Sequence, residues 1–361
     1  MYIGDLALQQ PDHAAYIMVT SGETVSYKQL NDRSRQTSQL FRSLGLQVGD
    51  HIALYMENNA RFLEICIAAA RSGIFYTAIS SRLTASEAAY IVNDCGARLF
   101  ISSLPKAGVA AELLGSMPKV ESCLMVGGVV KGYDSYEGSR DAMPVATIAD
   151  EETGIDMLYS SGTTGKPKGV KVPLPGIKVS EEIIPTKLIA KGLYNFSGET
   201  VYLSPAPLYH AAPLRFNMAT LFLGGTNIIM EEFDAEQAIS LIEKYQITHS
   251  QWVPTMFVKM LKLPEAVRNK YDTSSMKVAV HAAAPCPIQV KEQMIDWWGP
   301  VIHEYYSGSE GNGMCAINSE EWLAHRGSVG RAKLGVIHIC NDNGEEVAVG
   351  EPGTIYFSDG P

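Results

Sequence analysis

The sequence predicts an α/β protein: two layered α/β sub-domains with largely parallel sheets, followed by the opening of a small β-barrel. Three observations carry this expectation. Short apolar runs alternate with segments of helical period along most of the chain, the rhythm of strand–helix–strand units. The chain has 361 residues, 46% of them apolar, enough to cover both faces of a sheet. From residue 327 onward the pattern changes to β-like runs divided by turns at Asp342-Asn343-Gly344 and Pro352-Gly353, with no helical segment. The expected organisation is one large domain over 1–330, its two halves joined near 127–150, and a β-rich piece begun at 331–361.

The elements follow in chain order. Between Ser26 and Leu44, the positions Leu30, Ser34, Thr37 and Phe41 recur at helical spacing and Gly45 closes the helix. His51–Met56 reads as a short strand, Arg61–Arg71 as an alanine-rich helix and Phe75–Ile79 as a strand. Ala85–Asn93 is helical and Ala97–Ile101 strand-like. Residues 127–150 are polar and glycine-bearing without sustained period, which suits a surface loop. The alternation resumes with a strand at Met157–Tyr159, a glycine loop, and a variable stretch from Pro173 to Ser197. Further strands are expected at Val201–Leu203, Thr226–Met230, His249–Val253 and Val278–Ala282, with helices at Ala235–Tyr245 and Pro254–Leu261. No repeat is visible at solenoid or propeller periods.

Charge and cysteine usage narrow the function classes. The net charge is −10 and no basic block exists, so the chain is a poor electrostatic partner for nucleic acid. Local backbone N–H groups and a few cations can still bind a polyphosphate. The six cysteines, Cys66, Cys95, Cys123, Cys286, Cys315 and Cys340, form no Cys-x-x-Cys pair, which fits reduced thiols in the cytoplasm. The N-terminal residues lack the pattern of a signal peptide. The run at 221–230 is too short for a membrane span and is broken by Gly224 and Gly225. A cytoplasmic location follows, with room for peripheral membrane contact.

The strongest chemical signal is the run Ser160-Ser161-Gly162-Thr163-Thr164-Gly165-Lys166-Pro167-Lys168-Gly169, set directly after a strand. Its hydroxyls and glycines let backbone N–H groups converge on one anion, and two lysines add positive charge. It is not a Walker A loop, because Pro167-Lys168 stands where Gly-Lys would be required. That mismatch counts against a phosphate-loop kinase. Glu310 lies in a loop of small residues, where a carboxylate can hold Mg²⁺ against phosphates. Gly311-Asn312-Gly313-Met314-Cys315-Ala316 formally fits a dinucleotide-binding pattern but lacks the strand–turn–helix context. No hydrolase elbow or zinc-protease motif occurs.

These segments together resemble the adenylate-forming superfamily of acyl- and aryl-CoA synthetases, luciferases and peptide-synthetase adenylation domains. The 160–169 loop resembles its phosphate-binding signature. Pro207-Leu208-Tyr209-His210 resembles the aromatic-plus-histidine segment beside the carboxylate, and His281-Ala282-Ala283-Ala284-Pro285 the segment along the adenine. Tyr305-Tyr306-Ser307-Gly308-Ser309-Glu310 resembles the Tyr-Gly-x-Thr-Glu signature, with serine for threonine. Gly327–Arg331 and Gly350–Gly353 match later landmarks, in the same order and spacing. The runs at 204–215 and 248–257 further resemble bacterial fatty-acyl-CoA synthetases.

The resemblance implies an AMP-forming acid–CoA ligase using ATP, Mg²⁺ and coenzyme A on a hydrophobic carboxylic acid, with medium- or long-chain fatty acids favoured. It implies nucleotide contacts from Ser160, Ser161, Gly162, Thr163, Thr164, Gly165, Lys166, Lys168, Ala282, Ala283, Ala284, Pro285, Tyr305, Tyr306 and Ser309. Thr163, Lys168, His210, Ser309 and Glu310 would serve the chemistry, with Glu310 on the metal. His210, Trp252, His281, Ser307 and Gly308 would line the acid site. General-base work is not expected of His210, since a carboxylate nucleophile has no proton to lose at neutral pH.

The sequence departs from the family at its end. The ribose-gripping aspartate, the hinge and the lysine of the C-terminal lid would all lie beyond Pro361. The chain therefore reads as the N-terminal part of a synthetase, with little turnover expected alone. Alternatives are an aryl-CoA ligase for benzoate- or cinnamate-like acids and a peptide-synthetase adenylation domain. The latter fits less well, because His210 and the apolar segments suit an acid without an amino group. From another class, a non-catalytic nucleotide- or acyl-binding protein would differ by lacking the lid lysine.

Overall fold

The structure is a computed structural model describing residues 2–160, 166–181 and 185–359. The chain divides into two compact units, Met1–Phe233 and Asp234–Pro361. The segment 127–150 lies inside the first of these.

The first unit holds a fully parallel sheet in the order Phe75–Ile79, His51–Tyr55, Leu99–Ser103, Ser122–Val126, Asp134–Ser135. Every residue of its first three strands is buried, as expected of strands covered on both faces. A second group of strands in this unit runs Val201–Ser204, Thr226–Ile229, Ala14–Met18 in parallel, with Thr24–Ser26 returning antiparallel. The helix expected after Ser26 spans Tyr27–Ser43. Ser26 caps it in a reciprocal box with Gln29, and Leu30, Ser34, Thr37 and Phe41 are buried. The small hydroxyls on that face satisfy themselves on backbone carbonyls (Ser34 on Asn31, Thr37 on Arg33, Ser38 on Ser34), which leaves room for close approach of its neighbour. That neighbour, Phe62–Ala70, is buried along its whole length. Fully burying a side chain such as Leu30 or Phe41 contributes roughly 1.5–3 kcal/mol.

Two stretches without sequence period contain helices. Tyr136–Asp141 is capped by Ser135 and tied to the buried Glu64, which accepts from Tyr136 Oη at 2.8 Å and Arg140 at 2.6 Å. Pro185–Tyr194 begins on a proline suited to the first helical turn and buries Ala190 and Tyr194, the latter against Phe216. Both depend on partners distant in sequence, so a local pattern does not reveal them.

The second unit carries parallel strands His249–Trp252, Val278–His281 and Ile302–Ser307, extended by antiparallel Met314–Ile317 and Arg331–Leu334. Helices Ala235–Tyr245 and Pro254–Leu261 fall where the sequence predicts them. Residues 311–313 form the turn before strand Met314–Ile317, so the dinucleotide-like pattern has no helix behind it. The β-like runs near the end pair as a two-stranded antiparallel sheet, Val336–Cys340 with Thr354–Ser358. Among the described residues no helix is long and apolar enough to cross a membrane.

Candidate active site

In the first unit the described residues on either side of the candidate phosphate loop form a β-ribbon. Strand Leu158–Ser160 pairs antiparallel with Lys168–Val170, in register Leu158 with Val170, Tyr159 with Gly169 and Ser160 with Lys168. Two predicted phosphate contacts, Ser160 and Lys168, thus stand opposite each other across the ribbon. Ser161, Gly162, Thr163, Thr164 and Gly165 lie outside the described residues. Lys166 is exposed, with Nζ 5.4 Å from the centre of the Tyr90 ring. The return strand escaped the sequence reading because three residues are too few to show alternation. Gly169 lies under the Tyr159 ring: a Cβ there would stand 2.6 Å from Met157 Cε and 2.9 Å from Tyr159 Cζ, so those side chains would have to shift.

His210 stands at the N-cap of helix Ala211–Leu223, in extended conformation and without a capping hydrogen bond from its ring. It follows strand Val201–Ser204, so it emerges from the carboxyl end of a parallel strand, where ligand sites of open α/β sheets form. The ring is open to solvent on one side and packs on Tyr209 at 4.6 Å on the other. Desolvation by the surrounding atoms, reinforced by the charge of Arg82, holds its pKa below the ordinary histidine value. The imidazole is therefore neutral at pH 7.

Two polar groups that sequence reasoning missed, the buried Asn58 and the half-buried Asp156, hold this segment. Asn58 Oδ1 accepts from the Leu208 N–H at 2.7 Å, while its Nδ2 donates to Ala206 O at 3.2 Å and Met230 O at 2.8 Å. Asp156 receives Arg215 Nη2 at 2.8 Å, with Nε at 3.2–3.3 Å from both carboxylate oxygens. That fork ties the helix of His210 to the residues leading into the phosphate ribbon. In sequence, Asn58 is a polar residue after a strand, indistinguishable from an ordinary turn.

In the second unit, Trp252, His281 and Glu304 share one rung across three parallel strands. Trp252 and His281 are fully buried, each beside Phe257, with Trp252 also against Trp298. Their side chains face the interior of this unit. Beyond the rung the chain leaves both strand ends: Ala282 is buried, and Ala283, Ala284 and Pro285 are exposed. Ala283 has φ +72°, a left-handed conformation that an L-residue adopts at some cost. From the adjacent strand end emerge Tyr305, the exposed Tyr306, Ser307, Gly308, Ser309 and Glu310. The structure therefore brings the two predicted nucleotide-flanking segments to one edge of the unit.

The second segment is a tight turn. Gly311 N–H donates to Gly308 O at 3.2 Å with φ +70° at Gly311, and Ser307 Oγ donates to Gly313 O at 2.7 Å. The Glu310 carboxylate folds back over Gly308, where a Cβ would stand 2.6 Å from Oε2. Among the described residues no group of three His, Cys, Asp or Glu is placed to hold a metal. Glu310 is thus a single exposed carboxylate, the kind of ligand Mg²⁺ uses when phosphates and water complete its shell.

Beneath both segments lies an ion pair that the sequence reading did not single out. Lys291, on helix Ile288–Trp298, donates Nζ to Glu304 Oε2 at 2.6 Å; the lysine is 0% and the glutamate 7% exposed. His281 Nε2 is 3.5 Å from the same oxygen. Burial, aided by the Lys291 charge, pulls the His281 pKa down to about 3, so this ring is neutral. The Lys291 ammonium also lies 4.8 Å from the Trp322 ring centre.

Comparison with known proteins shows the family and the fold. Long-chain-fatty-acid–CoA ligase FadD13 of Mycobacterium tuberculosis is 26% identical over 365 residues, covering 98% of this chain and 69% of the relative. Medium/long-chain-fatty-acid–CoA ligase FadD8 of the same species is 27% identical over 381 residues, covering 97% and 64%. The chain thus spans about two thirds of the length of these relatives. The inhibitor-bound N-terminal domain of FACL13 from M. tuberculosis superposes with a TM-score of 0.82 at 24% identity, covering 96% of this chain and 85% of that one, which establishes the shared fold. Residues 5–361 match the family described as AMP-binding enzyme. The chain belongs to the AMP-binding enzyme family.

Proposed function

We propose that this chain forms the nucleotide- and acid-binding part of an ATP-dependent acid–CoA ligase acting on a hydrophobic carboxylic acid, a medium- or long-chain fatty acid being favoured. The observation that carries the reading is the emergence of Ala282–Pro285 and Tyr305–Glu310 from neighbouring parallel strand ends, in a chain of the AMP-binding family. The names of the FadD13 and FadD8 relatives support the fatty-acid preference.

The reaction joins two anions. A carboxylate oxygen attacks the α-phosphorus of ATP, the bond to the bridging oxygen breaks, and pyrophosphate leaves. The sulfur of coenzyme A then attacks the carbonyl carbon of the acyl-adenylate; AMP leaves and the thiol proton passes to solvent. The first step needs the charges of nucleophile and phosphate screened. Ser160, Lys166, Lys168 and residues 161–165 would surround the phosphates with short donors and two cations. Tyr306 offers an exposed ring for the adenine, and Ala282–Pro285 a backbone edge without bulky side chains. Ser309 would contact the α-phosphate and carboxylate. Glu310 would hold Mg²⁺, whose chemistry when bound is to neutralise charge on the phosphate oxygens. The neutral His210 can orient a carboxylate by donating one N–H, without the immobilising attraction of a full cation. Trp252 and His281 would shape the acid site from behind.

Glu310→Ala tests the reading. In the enzyme carrying its lid, acid-dependent ATP–pyrophosphate exchange should fall by about a hundredfold or more, with an unchanged melting temperature because Glu310 is exposed. Exchange at the wild-type rate would remove Glu310 from the metal role. Absence of exchange with every fatty acid in the wild type would remove the ligase reading itself.

A further inference from the structure

The base of the phosphate ribbon is tied to the parallel sheet, and Leu158 on its entry strand is buried in the apolar core. Residues 155–157 run beside strand Phe75–Ile79, with Tyr76 N–H donating to Ile155 O at 3.2 Å and Met157 N–H to Tyr76 O at 3.0 Å. Nearer the loop, side-chain hydrogen bonds to both sides of the ribbon come from the helix Ala85–Cys95. That helix is firmly set. Thr84 and Glu87 form a capping box, Gly96 closes it at φ +70°, and Ala88, Ala89, Ile91, Val92 and Cys95 are buried.

Two residues of this helix reach out, and each takes a different strand. Asp94 Oδ2 accepts from Tyr159 Oη at 2.5 Å on the entry strand. Tyr90 Oη donates to Pro167 O at 3.3 Å on the exit side, and the Tyr90 ring lies under the Lys166 ammonium. Positions 90 and 94 are four apart and so lie on one stripe of the helix, separated by about 6 Å along its axis. That separation is close to the spacing of about 4.8 Å between paired strands. One helical stripe can thus grip both strands of the ribbon at once. The grip also explains the glycine opposite Tyr159: the tyrosine must cross over Gly169 to reach Asp94.

We infer that Tyr90 and Asp94 are positioning residues for the phosphate loop, fixing both strands of its ribbon and holding Lys166 at the loop's exit. This rests on the nucleotide reading of residues 160–169. Neither residue touches the phosphates; each acts through Tyr159, Pro167 or Lys166. A loosely held ribbon would have to be ordered on binding, and that ordering weakens affinity.

The experiment uses the present chain and Mg-ATP. Variants are Tyr90→Leu, Asp94→Ala, the near-isosteric double Tyr90→Phe/Tyr159→Phe, and Asp94→Asn, which keeps an acceptor for Tyr159. Trypsin is blocked at Lys166 by Pro167 and cuts after Lys168, so the rate of that cleavage reports ribbon opening without any nucleotide. Tyr90→Leu, Asp94→Ala and the double variant should each raise the cleavage rate. Each should also weaken Mg-ATP binding, measured by calorimetry, by about five- to tenfold. Asp94→Asn should return both readouts to near wild type. The double variant preserves both rings and carries the test if the truncations lower the melting temperature. Unchanged cleavage in the double variant, or faster cleavage with unchanged Mg-ATP affinity, would overturn the inference while leaving the functional reading intact. A wild-type chain that does not bind Mg-ATP would overturn both.

Discussion

The Lys291–Glu304 pair gives the most demanding prediction, because its two partners can be removed separately. Lys291→Met leaves a carboxylate that is 7% exposed without its 2.6 Å partner. At an effective dielectric near 20 the lost attraction is roughly 6 kcal/mol, part of which only offset the cost of burying both charges. The net loss expected is about 3–5 kcal/mol, the range for breaking a buried pair. The double variant Lys291→Met/Glu304→Leu removes both charges and should return to within about 1–2 kcal/mol of wild type. All four tryptophans, Trp252, Trp297, Trp298 and Trp322, lie in the second unit, so their fluorescence during urea unfolding reports this unit alone. A single variant losing under about 1 kcal/mol would refute the reasoning.

Two further outcomes follow from groups in and around the site. His281 is held neutral with a pKa of about 3, below the unfolded value, so the contribution it makes above the unfolded pKa is lost as pH falls toward the folded one. Tryptophan-monitored stability should therefore decline below about pH 6.5 by at most roughly 1.4 kcal/mol per unit from this residue, and His281→Phe should flatten that decline; an identical slope in the variant would contradict it. Asn58→Ala should cost the first unit about 2–4 kcal/mol, since the Leu208 N–H and two carbonyls lose a buried partner. It should also weaken acid binding through the His210 segment, and calorimetry with a fatty acid showing wild-type affinity would exclude that role.

Much of the fold was legible because the parallel strands bury both faces. His51–Tyr55 and Phe75–Ile79 are mostly apolar runs, interrupted only by His51 and Thr77, and their helices carry caps at Ser26 and Thr84 that a local pattern exposes. What stayed hidden depends on distant partners. Tyr136–Asp141 is a single short turn of helix until Glu64 pairs with Arg140, and Lys168–Val170 is a strand only because Leu158–Ser160 lies opposite. The candidate site divides in the same way. The loop residues themselves announce their chemistry through composition, as in the hydroxyls and lysines of 160–168 or the small residues around Glu310. Their supports, Asn58, Asp156, Tyr90 and Lys291, are ordinary residue types in ordinary places, and only the fold gives them partners.

That division has a physical reason. A segment that must touch a polyphosphate or an adenine is built of small residues, so the ligand can approach the backbone, and small residues bury little apolar surface of their own. Such a segment cannot hold its shape by its own packing. At each candidate segment a polar anchor makes up the deficit: Glu304 two residues before Tyr306, Asp156 four before Ser160, and Asn58 across from Leu208. A buried polar anchor is a costly way to add stability, since apolar packing of equal volume often serves as well. It is a good way to fix position, because its hydrogen bonds are satisfied in one geometry alone. The anchors are therefore better understood as devices for holding the loops within the narrow tolerance that chemistry between two anions requires. On that view, replacing an anchor pair by apolar residues of matching volume should preserve stability and still weaken nucleotide binding, which separates positioning from mere support.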